Sequence, residues 1–405
     1  MESTISNNPP SQEPAKAWVM VWASFVCLTV IFGVSYSFAA FFESFAKEFS
    51  AQRADVSLIF GLCGLVYFVL GALGGILADR WGPRVVCMTG MGLVALGLYF
   101  TSLAQTLGSI YLSFGLLVGL GIAFVYTPAI AAVQPWFTQR RVLASGIAGS
   151  GVGAGTLIVP VVVSYLMTQI SWRDTLQAMA WGVVVIGFAS AYLLEKAPSL
   201  DAGAHGQLAG LSLGEALKTP VFRWLYICAL LSAPVMFMPF AHISAAARDA
   251  GVPDAQAVGL VGLIGIGSVT GRFGIAWVAN RLGRIQTLLL MQCLMGLSYF
   301  LWAGAQERLL FAIFALCFGL SYGSIVSLLP AICMDLFGGK AVSAIIGTLY
   351  TGAALGNLLG PVVAGKIFDL THSYSLVIYL ALGLSAIAAA SCWRTLQYAS
   401  QNDQR

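Results

Sequence analysis

The apolar residues of this chain come in long runs, not in the alternating pattern of a half-buried strand or the three-and-four spacing of a surface helix. Twelve runs are separated by short polar connections, at about 17–42, 56–78, 85–104, 108–133, 143–168, 175–194, 224–246, 256–279, 285–304, 309–333, 341–365 and 374–393. Each reaches the roughly 20 residues a helix needs to cross a ~30 Å hydrocarbon core, where a backbone polar group must be bonded within its own segment. The pattern predicts an all-α integral membrane protein with twelve transmembrane helices. The longest polar interruption, 195–223, holds Glu195, Lys196, Asp201, His205, Glu215, Lys218 and Arg223 and divides the runs six and six. Segments 17–194 and 224–393 are then two six-helix halves, 195–223 is a linker and 394–405 a tail. Residues 1–16 are polar, carry Pro9-Pro10 and lack a signal-peptide pattern, so they read as a disordered tail.

Composition agrees. Of 405 residues, 59% are hydrophobic and 9% charged, which excludes a soluble domain. The 45 glycines suit helices that approach closely in lipid. The net charge of +4 is spread over the connections, so it reports topology and not a nucleic-acid surface. With the N-terminus inside, thirteen Lys and Arg fall on the cytoplasmic side and six outside, which places both termini and the linker in the cytoplasm. The eight cysteines lie in or at apolar runs without a C-x-x-C pair and read as buried free thiols. There is no metalloprotease, phosphate-loop or nucleophile-elbow motif, so neither an enzyme nor a cofactor is expected.

The halves echo each other at an offset near 201. Leu77-Ala78-Asp79-Arg80-Trp81-Gly82-Pro83-Arg84 after the second run matches Val278-Ala279-Asn280-Arg281-Leu282-Gly283-Arg284 after the eighth, and Pro128 and Pro160 recur as Pro330 and Pro361. Parallel repeats of this kind hold a substrate site between them near the midplane. Within the eighth run stands Arg272, the one Lys or Arg inside a span. A guanidinium there costs about 2.5–3.5 kcal/mol on insertion scales and ordinarily faces a wet cavity and an anion. An arginine that snorkels, or that bonds backbone carbonyls at a broken helix, is the structural alternative.

The stretch Gly75-Ile76-Leu77-Ala78-Asp79-Arg80-Trp81-Gly82-Pro83-Arg84 resembles the loop signature of the major facilitator superfamily, which implies two six-helix pseudo-repeats and a conformational latch. Trp136-Phe137-Thr138-Gln139-Arg140-Arg141-Val142-Leu143-Ala144-Ser145-Gly146 is similar to the span-five entry of the monocarboxylate porter family. Phe240-Ala241-His242 before Arg248-Asp249-Ala250-Gly251 resembles span seven of its bacterial members. The latch residues are then Gly75, Asp79, Arg80, Gly82, Arg84, Arg140 and Arg141. Arg272 matches the family's substrate arginine, and spans one, four, ten and eleven bring Tyr36, Tyr126, Tyr322, Tyr350 and Asn357 as candidate cavity residues.

Three departures stand out. Lys16-Ala17-Trp18-Val19-Met20-Val21-Trp22 replaces the family's acidic first-helix signature, Tyr36–Phe42 lacks the lysine of mammalian members, and Ser268 stands where many members carry an acid one turn before the arginine. Span eleven also lacks the second cation of the oxalate/formate exchangers, which favours a single carboxylate. His242 is a candidate proton carrier.

The resemblance implies a secondary transporter of a small organic anion, a lactate- or pyruvate-like monocarboxylate, with proton symport possible. It would act as a monomer in the cytoplasmic (inner) membrane, in contact with lipid and with no nucleic acid. A multidrug exporter of the same superfamily is the alternative, although span five lacks the G-P-x-x-G-G antiporter pattern. A non-transporting membrane sensor is a third class, without an appended domain to signal through.

Overall fold

The computed structural model describes residues 15–137, 140–196, 210–338 and 340–402. Residues 1–14 of the tail expected over 1–16, residues 197–209 of the expected linker and residues 403–405 lie outside the described residues, while Ala15 and Lys16 already belong to the first helix. Among the described residues, twelve helices are long and apolar enough to cross a membrane. In order they are span one Ala15–Glu48, two Arg53–Trp81, three Pro83–Ser102, four Leu107–Trp136, five Leu143–Leu166 and six Trp172–Leu193. Seven is Pro220–Asp249, eight Asp254–Leu282, nine Arg284–Ala303, ten Arg308–Phe337, eleven Val342–Thr371 and twelve Ser375–Gln401.

The repeated turn works through its glycine. Span two ends at Gly82 with φ +87°, and span eight ends at Gly283 with φ +92°, a region open to glycine because it has no Cβ. Pro83 then opens span three at a position where its missing N–H needs no partner. Span one bends at Ser37, whose Oγ donates to the Gly33 carbonyl at 2.6 Å, and resumes over Phe38–Glu48. Span four contains a π-helical stretch, Tyr111–Val118.

Several helices outrun the apolar stretches that announced them. Span one continues to Glu48, span seven to Asp249 and span eleven to Thr371, which brings Glu43, Asp249 and Asp369 into helices. The last helix runs on to Asn402, through most of the segment expected as a tail. Inside the segment expected as a linker, Ser212 and Glu215 form a reciprocal cap that starts a short helix over Leu213–Lys218, and Pro220 already opens span seven. The free thiols divide: six are buried, Cys317 is half-buried and Cys293 is exposed.

Across the two halves, span two packs on span eleven and span five on span eight. The glycine run of span five brings it close both to span one in its own half and to span eight across the halves. A methyl group on Gly151 or Gly155 would run into the carbonyls of Phe25 or Thr29 of span one, and one on Gly265 would lie 2.8 Å from the Gly153 carbonyl. With twelve crossings, Ala15 and Asn402 lie at the same end of the bundle, called the termini end below, and the opposite end is the far end.

Candidate functional site

A cavity lies between the halves and runs towards the termini end, past Leu225, Leu329 and Leu349. Arg272 lines it. Span eight carries Arg272 roughly 15 Å from its Leu282 end, at about 1.5 Å per residue. Gly271 beside it lets the helix close on span ten, since a methyl there would meet the Leu320 carbonyl. The guanidinium is half-buried, and its Nε donates to the Ser268 Oγ at a long 3.4 Å. Among the described residues no carboxylate forms an ion pair with Arg272, and its two terminal nitrogens have no hydrogen-bond partner.

Tyr126, Tyr322 and Tyr350 line the same cavity, among aromatic walls that include Phe32, Phe68 and Phe237. The other sequence candidates stand elsewhere. Tyr36 is fully buried, shares a 2.9 Å hydrogen bond with the Tyr322 hydroxyl and stacks on Phe240 at 4.2 Å, so it joins the halves above the cavity. Ser268 sits behind Arg272 and holds its Nε. Asn357 is buried in the span two–span eleven seam, where its Nδ2 donates to the carbonyls of Phe60 and Gly61 at 3.3 and 3.4 Å. Gly64 makes room for it, because any side chain there would overlap the amide.

His242 lies towards the far end and is fully buried. Its Nδ1 is 2.9 Å from the Tyr374 hydroxyl, and its Nε2 is 2.8 Å from the Pro361 carbonyl and 3.1 Å from the Ser57 Oγ. These contacts belong to a polar layer that seals the far end. Arg53 of span two grips Asp249 of span seven with two hydrogen bonds of 2.7 and 2.8 Å, donates to Tyr374 at 2.7 Å and stacks over Phe368 at 3.8 Å. Span two has no N-terminal cap of its own. Asp369 of span eleven supplies one from the other half, accepting from the backbone N–H groups of Arg53 and Ala54 at 2.9 and 3.0 Å. Gly365 permits this approach, since a Cβ there would lie 2.6 Å from the Ala54 nitrogen.

At the termini end, among the described residues, the ion pairs of Glu195 and of Asp335 each stay within one half. Glu195 takes Lys16 and Arg84, and Asp335 takes Arg284. Lys16, ahead of Arg84, holds the Glu195 carboxyl below the usual carboxylate range. Asp79 and Arg80 are exposed; the Asp79 main-chain carbonyl accepts from Lys196 at 3.2 Å. Gly75 lies against Thr127 of span four, Arg140 stands exposed just before span five, and Arg141 opens that helix.

A family model, the Major Facilitator Superfamily, matches residues 24–345 and, in a second overlapping match, 275–404. The chain belongs to the major facilitator superfamily. Its members are transporters, so the protein is a multi-pass membrane transporter and not an enzyme. This facilitator is 31% identical over 376 residues to Monocarboxylate transporter 11 of Homo sapiens, covering 88% of this chain and 78% of the relative. It is 29% identical over 363 residues to Monocarboxylate transporter 13 of Rattus norvegicus, covering 88% and 84%. To Monocarboxylate transporter 12 of Homo sapiens it is 27% identical over 416 residues, covering 94% and 80%. All three are animal proteins, so the similarity supports the resemblance to monocarboxylate porters and not its bacterial branch.

Sequence reasoning missed the far-end layer of this facilitator. Arg53 reads in the sequence as one of the six charges outside, and Asp249 and Asp369 stand just beyond the apolar runs that end at 246 and 365. It also passed over Gln292, an amide inside the apolar run of span nine that lines the cavity.

Proposed function

We propose that the protein carries a small monocarboxylate, the class that includes lactate and pyruvate, across the membrane by alternating access, with Arg272 holding the carboxylate. The observation that carries this reading is the guanidinium on the cavity wall whose terminal nitrogens lack a protein partner. A buried charge left unpaired is strongly unfavourable, and an arginine fork matches a carboxylate with two parallel hydrogen bonds. Tyr126, Tyr322 and Tyr350 line the same cavity. The printed names of the relatives point to the same substrate class.

In this reading the termini lie in the cytoplasm, so the cavity faces inward and the sealed end faces outward. An inner-membrane location and the bacterial-type affiliation suggested by span seven go with it, as does action as a monomer. Ser268 stands where an acid would relay a proton, so the proton moves with the substrate or through His242 in the outer layer.

Uptake of labelled organic acids into proteoliposomes tests the proposal. Monocarboxylates should enter and compete with one another, and an inward proton gradient should raise their uptake. Uptake indifferent to pH and abolished by removing sodium would overturn the coupling. A panel in which no monocarboxylate enters or competes would overturn the substrate class.

A further inference from the structure

The cavity carries a second polar feature besides Arg272. Gln292 is 1% exposed, lines the cavity, and donates through Nε2 to the Ser232 Oγ at 2.7 Å and to the Cys228 sulfur at 3.5 Å. Ser232 spends its single hydroxyl proton on the Cys228 carbonyl at 2.6 Å, so towards Gln292 it can only accept. That fixes the amide's orientation and leaves Oε1 as the acceptor, buried beside the cavity and without a partner among the described residues. The Tyr67 hydroxyl, on the same cavity and equally buried, also has none. Helix packing does not demand an amide here. At the repeat offset of about 201 the first half places Met91, which is buried and apolar.

The walls between these groups are aromatic and aliphatic. Phe68 sits edge-on to Phe237 at 5.6 Å and to Tyr350 at 5.8 Å, and Phe32 edge-on to Tyr126 at 5.1 Å. Such a lining favours a ring, which can join edge-to-face contacts, over a two- or three-carbon acid. A buried acceptor without a donor is unfavourable, and a ligand that supplies the donor relieves it.

We propose that Gln292 is a second polar anchor for the substrate, and that the preferred cargo is an aryl monocarboxylate with a hydrogen-bond donor remote from its carboxylate. The carboxylate meets Arg272, the ring lies along the Phe68–Phe237 wall, and the remote hydroxyl or N–H donates to Gln292 Oε1. This rests on the reading of Arg272 given above and extends it from carboxylate recognition to selectivity.

The test is binding by purified protein in lipid nanodiscs, measured calorimetrically for lactate, phenylacetate, hydrocinnamate, the para-hydroxy derivatives of both aryl acids, and phenylacetamide. The better-fitting hydroxylated acid should bind about tenfold more tightly than its parent, the effect of one buried hydrogen bond. Both aryl acids should bind more tightly than lactate. Gln292→Met, which installs the residue of the other half, should erase the hydroxyl preference while leaving the affinity for the parent acids within a few-fold. Gln292→Leu with the same result, and melting temperatures close to wild type, would confirm that the loss is not misfolding. Equal binding of phenylacetamide and phenylacetate would overturn the Arg272 reading and this proposal with it. Acid-selective binding whose hydroxyl preference survives in folded Gln292→Met, or is absent from the wild type, would overturn this proposal alone.

Discussion

At the far end of the bundle one ion pair, Arg53–Asp249, and one helix cap, Asp369, reach across the halves, whereas the Glu195 and Asp335 ion pairs of the termini end stay inside them. Glu48–Arg173 and Arg248–Asp254 at the far end also stay inside one half. Arg53 holds Asp249 and Tyr374, and Asp369 caps a helix that belongs to the opposite half. Glu195, Arg84 and Lys16 belong to one half, and Asp335 and Arg284 to the other. The same charged turn closes spans two and eight, yet Asp79 and Arg80 stand exposed. The contrast separates contacts that tie the halves together from contacts that belong to one half. The trans contacts must break for the far end to open, while the intra-half pairs can ride with their halves as rigid bodies.

The largest effect should come from Arg53. It bonds two partners from the opposite half, and hydrogen bonds to a charged group contribute about 1.5–3 kcal/mol, so Arg53→Ala should shift the balance towards far-end opening by roughly 10- to 150-fold. Spin labels on Ser50→Cys and Thr371→Cys in a cysteine-free background would report this as a longer distance population. An unchanged distribution would break the comparison. Asp369→Asn keeps the shape but removes the charge from the helix N-terminus, so the same labels should show a smaller shift, about five- to tenfold.

At the termini end the effects should be weaker. If Asp79 engages only after the halves close there, Asp79→Asn should slow transport roughly two- to fivefold, the size of a helix-end charge interaction, with substrate affinity unchanged. Lost affinity at unchanged turnover would contradict that role. Glu195→Gln should do least, because its cluster is solvent-exposed and stays within one half. Glu195 has a depressed pKa in the folded protein, so its small stabilisation is present above the ordinary carboxylate pKa near 4.5 and is lost as pH falls through the folded value. Any difference in melting temperature between Glu195→Gln and wild type should therefore be confined to neutral pH and fade in acid.

The fold was legible because twelve apolar runs of spanning length leave few alternatives, and because the glycine turns and the Pro128/Pro330 and Pro160/Pro361 pairs expose the repeat. Arg272 was legible for the same reason, as a lone cation in such a run. The far-end layer was not, since helices do not stop where apolarity does; main-chain hydrogen bonding carries spans seven and eleven through Asp249 and Asp369. The faces of the polar residues were not legible either. Tyr126 and Tyr350 reach the cavity, while Tyr36 and Asn357 turn into the seam between halves, and in spans apolar all round no periodicity separates the two outcomes. Gln292 left one signal, an amide in an apolar run, and its meaning depends on Ser232 and Cys228 from another helix.

The central claim is that Arg272 binds the substrate carboxylate, and melting temperature and dissociation constant measured on the same purified samples test it directly. Arg272→Ala should fold and melt at least as high as wild type, because alanine sits in lipid more favourably than arginine. It should bind its organic acid roughly 10- to 150-fold more weakly, the loss of charge-assisted hydrogen bonds worth about 1.5–3 kcal/mol. Arg272→Lys keeps the charge without the fork and should fall between the two. A stable Arg272→Ala protein that binds the acid as tightly as wild type would contradict the account.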